Sequence, residues 1–451
     1  MHIPRRTFLE LAAGGGLLAG LGGFPRRLRA ATPTVTDRYF VFAYFQGGWD
    51  MLLGLDPRSP DDFPTGRGAD TGIEPAYDTV DNLDPANWLV DTDVPGMTFG
   101  PFIGDLAQHA SRLAVVRGMT MGSVAHEVAR RHAFTGVQPA GTSVRASSVA
   151  TLLAALLGES EPIPNLVCGM PSFNLGHPSW ASGLGTESVD DLYEALSPGA
   201  TTVGEGQRAA LEAFFANQES RTSSPRALDI YANRRTARSI VDLDIAATFD
   251  LSAASAEMRA LREVFGVDSG TTGEGGPRAL MAAQALTHGV SRCVSFEATG
   301  DLDTHAGAQW QSDHGPNLRA GFDSVAALAT QLAATPFFGD AGDNWLDHTT
   351  IVCLSEFARE AALNSNGGRD HNLVNAMVLL GGGIRGGQII GRTTDLGMQA
   401  QPVDLSTGTV AASGEVLTNE HIARSLLHSI GVEDDVADYR ADPVLSLLES
   451  R

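Results

Sequence analysis

Lysine is missing from this chain: all 31 basic residues among its 451 are arginine. That excludes any mechanism built on a lysine Schiff base and any phosphate loop that needs a lysine. Cysteine is scarce. Cys168, Cys293 and Cys353 are too few for a disulfide framework, and Cys293 and Cys353 fall in apolar runs, where a buried free thiol is expected. Positive charge is short overall, with 53 acidic residues and a formal net charge of −22. A surface of that sign repels nucleic acid and anionic membranes, because phosphate binding needs clustered cations. Beyond residue 31 no apolar run approaches the roughly 20 residues that a membrane span requires.

What is present begins with Arg5-Arg6. Thr7-Phe8-Leu9 follows, then a mild apolar run from Leu11 to Leu21, three more arginines (Arg26, Arg27, Arg29) and the small residues Ala30-Ala31-Thr32. Charge, then apolar residues, then small residues at a cut is the layout of a signal peptide. Paired arginines before Phe-Leu specify the twin-arginine route, although Pro4 and Glu10 depart from the usual form of that motif. Residues 1–31 are therefore expected to leave through the twin-arginine translocase, with 32–451 working folded in the periplasm or outside the cell. The glycine-rich run is too short for an anchor.

Tyr39–Phe45 is a continuous apolar, aromatic and β-branched run ending at Gly47-Gly48, the pattern of a buried parallel strand. Strands are likewise expected at Leu113–Val116, Ile163–Cys168, Arg292–Phe296, Thr350–Leu354 and Met377–Leu380. Helical spacing covers Ala125–Phe134, Ser148–Leu157, Arg278–Thr287, Leu318–Ala333 and Glu420–Ile430, and most of 206–264. Ser269–Pro277 is a Gly/Thr-rich linker, a candidate mobile loop. Strands alternating with helices imply an α/β fold, a doubly wound and mainly parallel sheet covered on both faces. The stretch 170–275 is expected to form a helical cap insertion.

In an open parallel sheet, ligands sit beyond the carboxyl ends of the strands. Asp50 follows the first strand; Thr120, Ser123 and His126 follow the second. Asp301, Asp303, His305 and then His314 follow Val294–Phe296, Glu356 follows Ile351–Leu354, and Asp370-His371 precedes the Met377 strand. Carboxylates, imidazoles and hydroxyls thus gather at one edge. Hard carboxylate and borderline imidazole donors suit zinc foremost, with manganese, iron or calcium as alternatives. Singly, each residue has a plainer role: Asp50 could cap a helix, His126 could be a satisfied core histidine, Asp303 could close an Asx turn. Convergence at five strand ends is what favours a site.

Phe45-Gln-Gly-Gly-Trp-Asp50, Leu113-Ala-Val-Val-Arg-Gly118, Ala125-His-Glu127 with Phe134-Thr-Gly136, and Asp303-Thr-His305 run in order along the chain. Ser355-Glu-Phe-Ala-Arg359, Gly368-Arg-Asp-His371 and Gly381-Gly-Gly-Ile-Arg-Gly-Gly387 continue the series. Together they resemble the exported bacterial domain-of-unknown-function family 1501, of the alkaline phosphatase-like superfamily with its sulfatase-like core. By that resemblance Asp50 is the first-strand metal ligand, and Asp303 and His305 hold one metal. Glu356 helps hold the other, His371 completes the set, and a hydroxyl before a helix is the nucleophile. Ser123 is the first candidate and Thr120 the second. His314 and Asp370 are expected among the metal-site residues as partners that orient the direct ligands, and Asp301 is an alternative to Asp303. Two departures bear on activity. Glu356-Phe357 stands where superfamily hydrolases commonly offer Asp-His, and Cys168-Gly-Met-Pro does not match the sulfatase formylglycine motif.

The expected function is metal-dependent hydrolysis of a phosphate or sulfate ester, on a small-molecule or polymer substrate, with Ser123, Thr120 and His126 as catalytic candidates. Metals would polarise the ester oxygens and lower the hydroxyl pKa of the attacking Ser123. The alternative is a non-catalytic exported binding or assembly protein that keeps the fold with an altered metal site.

Overall fold

The computed structural model describes residues 32–64, 68–197, 204–242, 245–433 and 436–449. The expected signal peptide, 1–31, lies outside these residues. Eight strands form the main sheet: β1 (Tyr39–Phe45), β2 (Leu113–Thr120), β3 (Asn165–Cys168), β4 (Leu184–Thr186), β5 (Cys293–Thr299), β6 (Thr349–Ser355), β7 (Val374–Gly381) and β8 (Gln388–Ile390). Their spatial order is β8-β2-β7-β6-β1-β5-β3-β4. Neighbours pair in parallel except where β7 runs antiparallel between β6 and β2.

The first apolar run lies near the middle of this sheet because both its faces can be buried. All seven residues of β1 are buried, and they alternate between two cores as successive side chains of a strand must. Val41, Ala43 and Phe45 enter one core with α3 (Gly275–Thr287) and α4 (Gly315–Ala334). Phe40, Phe42 and Tyr44 enter the other with α1 (His126–Thr135), α2 (Val149–Leu157) and α5 (Asn419–Ser429). Helices on both faces of a mainly parallel sheet make this a doubly wound α/β fold. Among the described residues no helix is long and apolar enough to cross a membrane. The three cysteines are buried and free.

Four local expectations change. The second strand runs on past Val116: Gly118, at φ 77, is the extra residue in a bulge opposite Asn375 and Ala376, and β2 continues to Thr120. The Met377 strand is longer than expected, and antiparallel. The 170–275 stretch is not helical throughout, since Leu184–Thr186 adds edge strand β4 beside β3. Finally, the Ser269–Pro277 linker is partly ordered structure. Helix α3 already begins at Gly275, and the buried Thr272 hydroxyl donates to the Phe265 carbonyl at 2.6 Å.

Candidate metal centre

Five chain segments meet at the carboxyl edge of the sheet, and local backbone chemistry brings each there. Beyond β1, Gly47 and Gly48 adopt φ 111 and 91. A Cβ on Gly47 would lie 2.6 Å from the Asp303 amide, and one on Gly48 would lie 2.5 Å from the Phe357 ring. Only glycine lets residues 302–303 and Phe357 close on this turn. The extension of β2 delivers the loop that enters α1, whose first residue is His126. Beyond β5 the chain turns through Asp301, at φ 57, to Asp303 and His305. Because β7 is antiparallel, its entry lies at this same edge, so His371 joins from the residues before a strand. His371–Asn372 pairs antiparallel with Ala358–Arg359, just beyond β6.

Asp303 is the hub. Its Oδ1 lies 3.0 Å from His371 Nε2 and 3.0 Å from His305 Nε2, and its Oδ2 lies 3.2 Å from His126 Nε2. The two nitrogens His305 Nε2 and His371 Nε2 are 3.0 Å apart. Each imidazole is held from behind through its other nitrogen. His126 Nδ1 is 2.9 Å from Glu356 Oε1, His371 Nδ1 is 2.9 Å from the Val124 carbonyl, and His305 Nδ1 is 2.7 Å from Asp370 Oδ1. The guanidinium of Arg359, fully buried, donates to Asp303 Oδ1 at 2.7 Å and lies 3.4 Å from His305 Nε2.

These partners fix the tautomers. A carbonyl and an ionised carboxylate only accept hydrogen bonds, so each Nδ1 must carry the proton. The lone pairs of three Nε2 atoms then point at one ionised carboxylate and at one another. Acceptors packed this closely repel unless a cation lies among them. His126 Nε2 is a buried atom that makes no hydrogen bond despite its nearness to Asp303. Histidine held from behind by a carboxylate or carbonyl is the arrangement that orients metal ligands. Ligands of a tetrahedral zinc, at 2.0–2.1 Å from the metal, stand about 3.3 Å apart, close to the spacings here. His126, Asp303 and His371 are the one group of three or more potential ligands that converges among the described residues, with ligand atoms within 4.8 Å of one another. The residues present fit a single divalent metal, with His305 at its side.

The same contacts set the charge states. A hydrogen bond to Glu356 raises the His126 pKa, while burial lowers that of His371. Burial opposes ionisation of Asp303, yet the neighbouring His371 imidazole and the Arg359 guanidinium outweigh it and hold its carboxyl well below the usual range. A hydrogen bond from His305 holds Asp370 below its usual range as well.

The other expected residues sit elsewhere or do something else. Asp50, expected as a ligand, is buried and fully engaged. Its Oδ1 accepts from the Leu52 and Leu53 amides, and its Oδ2 accepts from Trp310 Nε1 at 2.9 Å and pairs with Arg369 Nε at 2.8 Å. His314, also buried, accepts the Asp50 amide at 3.0 Å through Nε2 and bonds Thr304 Oγ1 at 2.8 Å through Nδ1. Neither faces the cluster. Glu356 is fully buried and accepts from the Gly47 amide, the Tyr44 hydroxyl and Ser355 as well as His126, so it backs a histidine and has no free face. Asp370 backs His305 in the same way. Ser123 is not the N-cap of α1, which is Ala125; its Oγ accepts the Ala125 amide at 3.0 Å. Among the described residues no imidazole or carboxylate hydrogen-bonds to Ser123 Oγ. Thr120 ends β2, with its amide on the Leu417 carbonyl.

Sequence reasoning passed over Arg359 and Arg369. Both stood within quoted motifs, and both are fully buried arginines in a chain whose cations are otherwise mostly at the surface. The residues before Glu356 are strand core, so an arginine just past the buried end of β6 was the available signal for Arg359; Arg369 carried none.

Fold and cluster together define a doubly wound α/β protein with a polyhistidine–carboxylate centre at the carboxyl edge of its sheet. The chain belongs to a family described as proteins of unknown function, DUF1501, whose model matches residues 40–424. No curated protein matches the chain significantly. Similar solved structures include a protein in the alkaline phosphatase superfamily from Vibrio parahaemolyticus, at 11% identity and TM-score 0.34, covering 96% of this chain and 76% of that one. Another is Ps i-CgsB in complex with k-i-k-neocarrahexaose, at 11% identity and TM-score 0.35, covering 91% and 75%. Those superpositions are loose and add nothing to the geometry of the centre.

Proposed function

We propose that this protein is an exported hydrolase of phosphate or sulfate esters that works with one divalent metal, zinc by preference, held by His126, Asp303 and His371 with His305 beside them. The observation that supports it most is the set of three Nε2 lone pairs aimed at a single carboxylate, each imidazole pinned through Nδ1. Such a metal, when bound, supplies Lewis-acid polarisation of an ester oxygen. The chain's own residues do the rest. Glu356, Asp370 and the Val124 carbonyl keep the imidazoles in the ligating tautomer. Arg359 offsets the charge of Asp303, so an anionic ester approaching the centre meets less repulsion. The 120–125 loop, which carries Thr120 and Ser123, passes beside His371 through Val124, and it is the source of the attacking hydroxyl. The substrate is an anionic ester, on a small molecule or a polymer.

The test is turnover of p-nitrophenyl phosphate, bis-p-nitrophenyl phosphate and p-nitrophenyl sulfate by metal-loaded protein. Turnover that disappears in His371→Ala, and in either Ser123→Ala or Thr120→Ala with metal retained, is the expected result. A second reading is a binding protein that keeps the metal and has no turnover, and the missing base at Ser123 Oγ favours it. Loaded protein that is inert on all three esters would decide for that reading. Export through the twin-arginine translocase to the periplasm or beyond is part of the proposal and is supported by Arg5-Arg6. Replacing both with lysine should trap the precursor in the cytoplasm, and undiminished export would refute the route.

A further inference from the structure

The Gly381–Gly387 run plays no part in the metal centre. It leaves β7 at the opposite, amino edge of the sheet, about 20 Å away by the length of β1. There it borders a cavity of about 570 Å³, within the usual range for a small-ligand site. Two arginines line this cavity, Arg38 from just before β1 and Arg385 from within the glycine run. Gly382 is what lets Arg38 in, and Gly386 lets the run itself close on the chain before β2. A Cβ on Gly382 would lie 2.0 Å from Arg38 Nη1, and one on Gly386 would lie 2.6 Å from the backbone of Arg112.

Arg38 Nη1 donates to the Asp347 carbonyl at 2.8 Å, and Arg385 Nη2 donates to the Ser446 carbonyl. Among the described residues neither guanidinium has a carboxylate partner, and Arg38 Nε is buried with no partner of any kind. Two uncompensated cations at one cavity stand out in a chain of net charge −22. Arg38 is half-buried and Arg385 exposed; opposing them are Glu449, exposed as well, and the carboxyl end of α5, worth about half a negative charge. His428, on that helix, is already engaged by Glu433 at 3.0 Å. The two guanidiniums outweigh these. The rest of the wall is apolar, from Val35, Leu445 and Leu448.

We infer that this cavity binds a small organic anion: a phosphate, phosphonate or sulfate head held by Arg38 and Arg385, with an apolar body against Leu445 and Leu448. Guanidinium matches such oxyanions with parallel N–H donors. The site is separate from the metal centre and does not rest on the hydrolase proposal.

The experiment is calorimetric titration of metal-stripped protein with phenylphosphonate, which no ester hydrolysis can consume, and with inorganic phosphate. Saturable binding of one phenylphosphonate per chain is expected, with affinity at least tenfold lower in Arg385→Gln. Leu445→Glu should lose as much; Leu445 is 48% exposed, so that change places a carboxylate at the mouth without disturbing the core. No saturable binding to the stripped wild type, or affinity within twofold of wild type in either variant, would overturn the assignment. Equal affinity for inorganic phosphate would overturn its apolar half.

Discussion

Two clusters at the carboxyl edge of the sheet are built from the same residue types, and only one of them is suited to a cation. Asp50, His314 and Arg369, with Trp310 and Thr304, form a knot in which the carboxylate meets amide, indole and guanidinium groups and both imidazole nitrogens bond to the protein. Asp303, His126, His305, His371 and Arg359 form a cluster in which each imidazole is satisfied from behind and has only acceptors, or a single long guanidinium contact, in front. The difference lies in the second nitrogen. In His314 both ring nitrogens bond to the protein, one accepting an amide; in the other cluster the Nε2 atoms compete for one carboxylate. Residue type makes a side chain a possible ligand, and the outward-facing lone pair makes it an available one.

That comparison breaks most visibly under substitution of a ligand. His371→Ala should lower zinc affinity by more than the 10–100-fold that loss of an outer partner costs, while His314→Gln should leave zinc binding unchanged, both read by competition against a chelating dye. Next in size is Asp50→Ala. It strands the buried Arg369 guanidinium and the Trp310 indole N–H, so stability should fall by roughly 3–5 kcal/mol in urea unfolding, with metal affinity retained in the folded fraction.

His314 sharpens the contrast through pH. Burial pushes its pKa down from the ordinary 6.5 to about 4, and His132 shifts the same way for the same reason. The folded chain therefore holds His314 neutral while the unfolded chain takes up a proton first as pH falls. Its contribution is present above about pH 6.5 and is lost towards pH 4, an effect of about 3 kcal/mol. Melting temperatures of wild type and His314→Gln should converge on acidification across that window; parallel curves would show that His314 is not held neutral. The smallest effect is expected at Glu356→Gln. Its neutral amide can still accept from His126, so zinc affinity should drop toward the lower end of the 10–100-fold range, and a loss as large as that of His371→Ala would make Glu356 a ligand instead.

The strand ends were legible because buried strands announce themselves as apolar runs, and ligand-type residues after each run then mark one edge. Asp303, His305, His126 and His371 were found that way. The division of labour among them was not. Asp50 looks like a ligand in a linear reading, and His314 like a partner to one, because the groups that claim Asp50, Arg369 and Trp310, lie 319 and 260 residues from it along the chain. Glu356 was expected as a ligand and Asp370 as a partner that orients one, and only the facing of each imidazole shows both standing behind it. The direction of β7 was equally hidden. Apolar runs carry no record of parallel or antiparallel pairing, yet that direction is what brings His371 to the carboxyl edge. Edge strand β4 is three residues long, too short for periodicity to register.

The most direct measurement is the zinc content of purified residues 32–451 after saturation and gel filtration. One tightly held equivalent per chain is expected, absent from Asp303→Ala and present in Asp50→Asn. No retained zinc in the wild type, or the same content in Asp303→Ala, would contradict the centre described here.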